Sequence, residues 1–271
     1  MAPERRRSRR PVSKCVSAYC WIDPMPLIGI GTGRGLLYNP PVAAGGSLGL
    51  QTNLASFFSL DNTLSDSVGA VTDLTNNNSV TFVSSTPTPP AAVTNSAKFV
   101  AASSQSLSHA DATGINIAGI NASVQVWVYP TANTIAAISK NGGAFGSREY
   151  DIFYPFGTGA TNPIRCRTDD NTTRSSSNIS TSTWIHVVFT WNNTSKAFVC
   201  YVNGSQYSST TESNATAGTS TLYIGADSAG TGNFWNGNMC LFGTWRNRIL
   251  TADDVTALYN SGNGLSYAAM A

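Results

Sequence analysis

The chain has 271 residues, 41% of them hydrophobic and only 11% charged. A soluble domain ordinarily carries about a quarter charged residues; here Ser, Thr, Asn and Gly stand in, the residues of solvated strand faces and turns. The apolar content argues against disorder, no apolar run reaches the roughly 20 residues of a membrane-spanning helix, and the charge deficit argues against coiled coils, helical bundles and nucleic-acid-coating proteins.

The basic residues are gathered at one end. Through Ser47 there are seven bases (Arg5, Arg6, Arg7, Arg9, Arg10, Lys14, Arg34) against two acids (Glu4, Asp23), a net of +5; the remaining nine bases face twelve acids, a net of −3. An arginine cluster of this kind can touch phosphates or an acidic protein surface. Nothing in the body extends it into a basic, aromatic-lined nucleic-acid groove. Ser8-Arg9-Arg10 with Lys14 resembles a twin-arginine export signal, but Asp23, Pro24 and Pro26 interrupt the apolar stretch that should follow. Residues 24–50 are rich in Gly and Pro. The glycines at 29, 31, 33 and 35 superficially match a dinucleotide fingerprint, which would have to follow a strand and open a helix. An extended arm fits better, with Arg34, Leu36, Leu37 and Tyr38 as its anchoring contacts. The expected organisation is an arm over residues 1–47 and one domain over 48–271.

From Leu54 onward, short β-type runs alternate with turn clusters: Leu54 to Leu60, Ala97 to Val100, Ser123 to Tyr129, Thr134 to Ser139, Tyr150 to Phe156, Trp184 to Trp191, Ala197 to Asn203 and Thr221 to Ile224. This punctuation predicts a β-sandwich or barrel. Val124, Val126 and Val128 share one strand face and Trp127 and Tyr129 the other, so that strand is central in its sheet. Asn203-Gly204 supplies the positive φ angles of a tight hairpin turn. With the polar turn Asn192 to Ser195 it predicts two successive hairpins, an antiparallel meander. One helix is expected: Thr251 caps it, Asp253 and Asp254 occupy the first turn, Val255, Leu258 and Tyr259 share a face, and Gly262 stops it. The five cysteines, Cys15, Cys20, Cys166, Cys200 and Cys240, have no metal-binding spacing. Cys200 and Cys240 sit among apolar neighbours and read as small buried hydrophobes.

Taken in order, these blocks resemble the concanavalin A-like lectin/glucanase superfamily in its laminin-G-like branch. The resemblance is carried by L-A-S-F-F-S-L-D with Asp66-Ser67-Val68-Gly69, Ala97-Lys98-Phe99 with Ser106-Leu107, and Val126-Trp127-Val128-Tyr129-Pro130. Trp184-Ile185-His186-Val187-Val188 with Tyr201-Val202-Asn203-Gly204 follows, then Leu222-Tyr223-Ile224-Gly225, Phe234-Trp235-Asn236-Gly237 and Leu250 through Gly262. The resemblance spans roughly Leu50 to Gly264. It implies an all-β jelly-roll sandwich of two antiparallel sheets, one of them curved, a fold that serves enzymes, lectins and adhesion modules alike.

Glycoside-cleaving members of that superfamily use clustered carboxylates, because one acid protonates the leaving oxygen while another attacks or activates water. Glu149 and Asp151, two apart on a strand, are placed to share a face, but Tyr154 stands where the E-x-D-x-x-E motif of the glucanases has its third acid. No catalytic residue is assigned. His186 in the W-x-H-V signature is expected to pack between strands, since no nucleophile motif accompanies it. The family sometimes holds calcium; Asp61, Asp66 and Asp227 are the acids such a site would use, but turn-capping is their commoner role, and no cofactor or metal is assigned. Binding remains. A sugar site needs an aromatic platform ringed by Asn, Asp or Arg, which directs attention to Trp235, Asn233 and Asp227, and to Arg148, Tyr154, Arg165 and Arg167. Alternation in Ile164-Arg165-Cys166-Arg167 puts both arginines on one face.

The functional expectation is a non-enzymatic structural or binding protein of a virion, such as a capsid decoration, tail or fibre component. Its arm would anchor to protein subunits of the assembly, and its lectin-like head would contact cell-surface glycans or neighbouring subunits. The alternative is a secreted bacterial carbohydrate-binding or adhesion module, with a glycoside hydrolase ranked below it.

Overall fold

The computed structural model describes residues 47–131, 136–142, 148–154, 163–168, 174–212, 215, 218–228 and 230–271. The expected arm, with Arg34, Leu36, Leu37 and Tyr38, and two of the cysteines, Cys15 and Cys20, lie outside them.

The strands are β1 (Leu54–Phe58), β2 (Thr75–Asn77), β3 (Thr81–Val83), β4 (Ser96–Phe99), β5 (Ser106–His109), β6 (Ala122–Pro130), β7 (Ala136–Asn141), β8 (Arg148–Phe153), β9 (Pro163–Arg167), β10 (Arg174–Asn178), β11 (Ile185–Trp191), β12 (Ala197–Val202), β13 (Ser205–Thr211), β14 (Leu222–Ile224) and β15 (Gly237–Arg246). One sheet has eight strands in the order β13-β12-β11-β6-β15-β4-β3, with β1 also paired to β15; the other has seven, β10-β9-β8-β7-β14-β5-β2. Every strand pair is antiparallel. The two sheets form a sandwich, as the alternating runs predict.

The core between the layers is filled by the inward residues of both sheets: Val124, Val126, Val128, Val187 and Phe189 from one, Leu107, Ile138, Ile152, Ile164 and Leu222 from the other. Strand β6 lies between β11 and β15, the central place that its two apolar faces require. The meander β11-β12-β13 is formed, and the turn at its second hairpin has Asn203 at φ +50° and Gly204 at φ +79°, the primed geometry that matches strand twist. Cys166 of β9 accepts from Tyr207 Oη at 3.5 Å, and burial first, then the neighbouring Cys166 thiol, pushes the pKa of Cys200 on β12 up. Cys240 is also buried, and all three are free thiols.

A second apolar cluster lies on the outside of the eight-stranded sheet. Phe57, Trp127, Val188, Leu241 and Trp245 pack there against Val255 and Leu258 of α1 (Ala252–Tyr259), the one α-helix among the described residues, and against Met270. Thr251 caps the helix, its side chain accepting from Asp254 N while the Asp254 carboxylate accepts from Thr251 N. The helix ends earlier than Gly262: Asn260, at φ +47°, is the left-handed C-cap, a conformation that an Asn side chain tolerates nearly as well as glycine. Over this sheet His186 stacks on Trp127 (5.0 Å between ring centroids) and Tyr259 on both. His186 Nε2 meets Gln125 Oε1 at 3.1 Å. Burial alone pulls the His186 pKa down to about 3, so the ring is neutral packing material, the role its signature suggests. Among the described residues no helix is long and apolar enough to cross a membrane.

Candidate functional site

The outside of the seven-stranded sheet is polar. On β5, β8, β9 and β14 each residue that points into the core alternates with one that points away: Leu107 with Ser106 and Ser108, Ile152 with Asp151, Ile164 and Cys166 with Arg165 and Arg167, Leu222 and Ile224 with Tyr223. Antiparallel register then aligns these outward residues across strands. Arg167 faces Asp151, Asp151 faces Ser139, Ser139 faces Tyr223, Tyr223 faces Ser108, and Ser108 faces Thr75. One cross-strand row therefore traverses six of the seven strands. Directly opposed residues have their Cβ atoms about 5 Å apart on the same face, so the row is a continuous strip of side chains.

At the β2 end of the row is a groove of about 460 Å³, lined by Asn76, Asn77, Asn78, Ser106, Ser108, Tyr223 and Gly230. Asn77 Nδ2 donates to Ser106 Oγ (3.3 Å) and Ser108 Oγ (3.0 Å), fixing three polar side chains relative to one another. Asn76 is held by reciprocal bonds with the Val80 backbone, and Asn78 donates to Ser104 O. Tyr223 is half-buried, and its hydroxyl makes no hydrogen bond among the described residues. Gly230, at φ +64°, closes the wall: a Cβ there would lie 2.4 Å from Cε1 of Tyr223, so only glycine lets the loop rest on the ring.

That loop, between β14 and β15, also carries Asp227 and Asn233. Asn233 Nδ2 donates to Asp227 Oδ2 at 2.9 Å, and Gly230 N donates to Asp227 O, so this pair shapes the turn that borders Tyr223. The aromatic residue of the same loop chosen from sequence, Trp235, points the other way. It is fully buried, edge-on to Tyr154 (6.3 Å between centroids), and both belong to the core between the sheets. Tyr154 Oη donates to Ile179 O. Neither ring can serve as a platform, because each fills space that the sandwich needs. The outward ring is Tyr223, and the alternation in Leu222-Tyr223-Ile224 is the signal that would have found it.

Two of the arginines, Arg148 and Arg167, do come together, at the other end of the row, with Arg165 opposite Phe153 on the same face. Asp151 Oδ2 accepts from Arg148 Nε (2.8 Å) and from Arg167 Nε (3.0 Å) and Nη2 (2.9 Å), while Ser139 Oγ donates to Oδ1 (2.8 Å). Arg167 also lies over the Phe153 ring, 4.6 Å from its centroid. Burial lowers the Arg167 pKa and Asp151 partly restores it, while the positive charges of Arg148 and Arg165 lower it further.

Glu149 and Asp151 do not share a face. The β7–β8 register skips Glu149, pairing Lys140 with Tyr150 and Asn141 with Arg148. A bulge of this kind turns two successive side chains the same way. The Glu149 carboxylate accordingly accepts from Ile117 N and Ala118 N and pairs with Lys140 at 3.0 Å. Lys140, itself fully buried, also pairs with Asp111 at 2.8 Å. The two carboxylates have no partner in common. The candidate calcium acids are turn caps as well. Asp66 accepts from the amides of Phe57, Val68, Ala70 and Val71. Burial raises the Asp61 pKa, but hydrogen bonds from Thr94 and Asn95 outweigh it and hold the carboxyl below its ordinary value. Among the described residues no three His, Cys, Asp or Glu side chains gather as a metal site.

A two-layer jelly roll with one polar, grooved sheet is the architecture of lectin-like domains. Residues 101–256 match the model of the concanavalin A-like lectin/glucanases superfamily, and the chain belongs to that family. No curated protein matches the chain. Solved structures do. Domain 4 of AbnA, a GH43 extracellular arabinanase from Geobacillus stearothermophilus, in complex with arabinotriose, is 19% identical with a TM-score of 0.55, covering 76% of this chain and 97% of that one. The binding domain of Paraclostridial Mosquitocidal Protein 1 is 15% identical with a TM-score of 0.60 over 79% of this chain; the match spans 53% of that longer chain. Trypanosoma rangeli sialidase is 14% identical with a TM-score of 0.56, covering 79% of this chain and 33% of its own. At these identities the likeness is one of fold.

Proposed function

We propose that the domain is a non-enzymatic carbohydrate-binding module whose ligand lies on the outside of the seven-stranded sheet. The observation that carries this reading is the Tyr223 groove: one aromatic face of the kind on which a pyranose rests, beside hydroxyls and amides preset by Asn77. The arabinanase domain solved with arabinotriose supports it as an instance of sugar bound to this fold. Against catalysis, Glu149 is locked by Lys140 and two backbone amides and Asp151 by two arginines, so this pair of carboxylates is not set to flank one glycosidic bond. In a glycan array with the intact chain, Tyr223→Ala should weaken binding about tenfold or more, the usual cost of truncating an aromatic anchor. Unchanged binding overturns the site. Release of new reducing ends from any bound glycan overturns the non-enzymatic assignment.

We also infer that the module works on the surface of an extracellular assembly, a virion being the favoured one, with residues 1–47 as its anchor to other protein subunits. Five arginines among the first ten residues, followed by a Gly/Pro-rich stretch, favour an extended segment lying on a partner. Deleting residues 1–47 should abolish incorporation into particles while the remaining chain keeps its β-rich circular dichroism. Normal incorporation refutes the anchor, and a leader cleaved from exported protein favours a secreted bacterial module instead.

A further inference from the structure

The arginine end of the row carries more positive charge than the fold uses. Arg148 and Arg167 both pair with Asp151, the one carboxylate they contact among the described residues, and Arg165, opposite Phe153 on the same face, adds its positive charge beside Arg167. Among the described residues, three guanidiniums against one carboxylate leave an excess of two positive charges on a strip where Arg148 is buried and Arg165 and Arg167 are half-buried. Arg148 is only 6% exposed. Its Nη1, buried, has no hydrogen-bond partner among the described residues, and neither has the buried Nε of Arg165. A buried cationic donor left unpaired is costly, and two of them, one on each side of the Asp151–Arg167 pair along the strands, on the sheet face that carries the Tyr223 groove point to an oxyanion that would complete them. The planar guanidinium fork suits a carboxylate or sulfate, which it holds bidentately.

Register gives the span. Arg167 on β9 and Tyr223 on β14 are three strand intervals apart along one row, about 14 Å at the usual strand spacing. A single sugar cannot touch both; a short oligosaccharide can. Between them lie Ser139 and Asp151, whose polar atoms are already engaged with each other, a level polar floor under such a chain.

We propose that the glycan recognised by this face is acidic: one sugar stacks on Tyr223 in the Asn77–Ser108 groove, and an oxyanion on a sugar farther along is held by Arg148, Arg165 and Arg167. This rests on the reading of the Tyr223 groove as a sugar site. It adds a charge requirement that the groove by itself does not impose.

The test is a glycan array of matched pairs probed with the intact chain at low and at physiological salt: uronic-acid oligomers free and methyl-esterified, sialylated and asialo chains, sulfated and unsulfated chains. The acidic member of at least one pair should bind about tenfold or more tightly, with the preference shrinking as salt rises. Which pair responds separates carboxylate from sulfate. In Arg165→Gln/Arg167→Gln the ratio should fall to about one. Arg165→Gln alone breaks no hydrogen bond among the described residues and should reduce the ratio without lowering the melting temperature, which guards against misfolding of the double variant. Tyr223→Ala should weaken both members of the pair. Equal binding of acidic and neutral members, or a preference that survives in the arginine variants, overturns the charge requirement and leaves the groove standing. Binding to no glycan overturns the groove and this inference together.

Discussion

On the outside of the eight-stranded sheet, outward positions hold Phe57, Trp127, Val188 and Trp245, buried under α1 and the chain's last residues. On the outside of the seven-stranded sheet, equivalent positions hold Ser108, Ser139, Asp151, Arg167 and Tyr223, with a groove among them. The period of two is the same in both sheets. What differs is the chemistry put on the outward half of the period, and that choice decides which face becomes a second core and which stays available to a ligand. A family fold alone does not mark the working surface; the proposed site is read from the contrast between its two outer faces.

The largest effect should come from breaking the covered face. Trp127 is fully buried and forms the floor on which His186 and Tyr259 stack. Trp127→Ala should cost about 3–5 kcal/mol of unfolding free energy in a denaturant titration, the range for large-to-small changes in a core. A cost near zero would mean that the helix and C-terminal segment do not truly cap this sheet.

Acid should act on the same face. His186 is held near a pKa of 3 by burial, against about 6.5 for an unfolded histidine. Between these values the unfolded chain binds a proton that the folded chain refuses, so stability falls as pH drops below about 6.5 and levels off near 3. Each pH unit in that window costs about 1.4 kcal/mol. His186→Phe keeps a ring on Trp127 but has nothing to titrate. It should lower stability at neutral pH, since Gln125 loses its partner, and flatten the fall between pH 6 and 4 relative to the parent. Parallel pH curves for the two proteins would show that the ring is not buried neutral.

Much of this was legible in the sequence. The strands at Leu54, Ser123, Trp184 and Ala197 announce themselves by alternation or β-branched runs, the Asn203-Gly204 turn by its positive-φ residues, and the helix by its capping box. The long strand Gly237–Arg246 was not, because buried on nearly every side chain and broken by Gly243 it shows no period to read. The site was half legible. Alternation placed Arg165 and Arg167 outward, but Arg148 joins them only through the bulge at Glu149, and a one-residue shift of register is invisible in a sequence. The aromatic was misassigned for a related reason. Trp235 lies in an irregular loop where no period says which way a side chain points, whereas Tyr223, between two buried aliphatics, could have been assigned outward from Leu222-Tyr223-Ile224.

The smallest effect on folding should come from the open face, and there the comparison becomes sharpest. Tyr223 contributes to no core cluster; its neighbours are Ser139 and Ser108 across the strands and Gly230 against its ring. Tyr223→Ala removes an aromatic from a strand, a loss of β-propensity and cross-strand contact worth about 1 kcal/mol or less. The thermal midpoint should therefore move far less than in Trp127→Ala, although both substitutions remove a large ring from the same kind of outward strand position. A side chain selected for packing costs stability when removed. One kept for a ligand costs binding instead, so Tyr223→Ala should leave the melting curve nearly in place while glycan retention collapses. If its unfolding free energy drops as far as that of Trp127→Ala, Tyr223 is part of a third core and the seven-stranded sheet has no free face to offer.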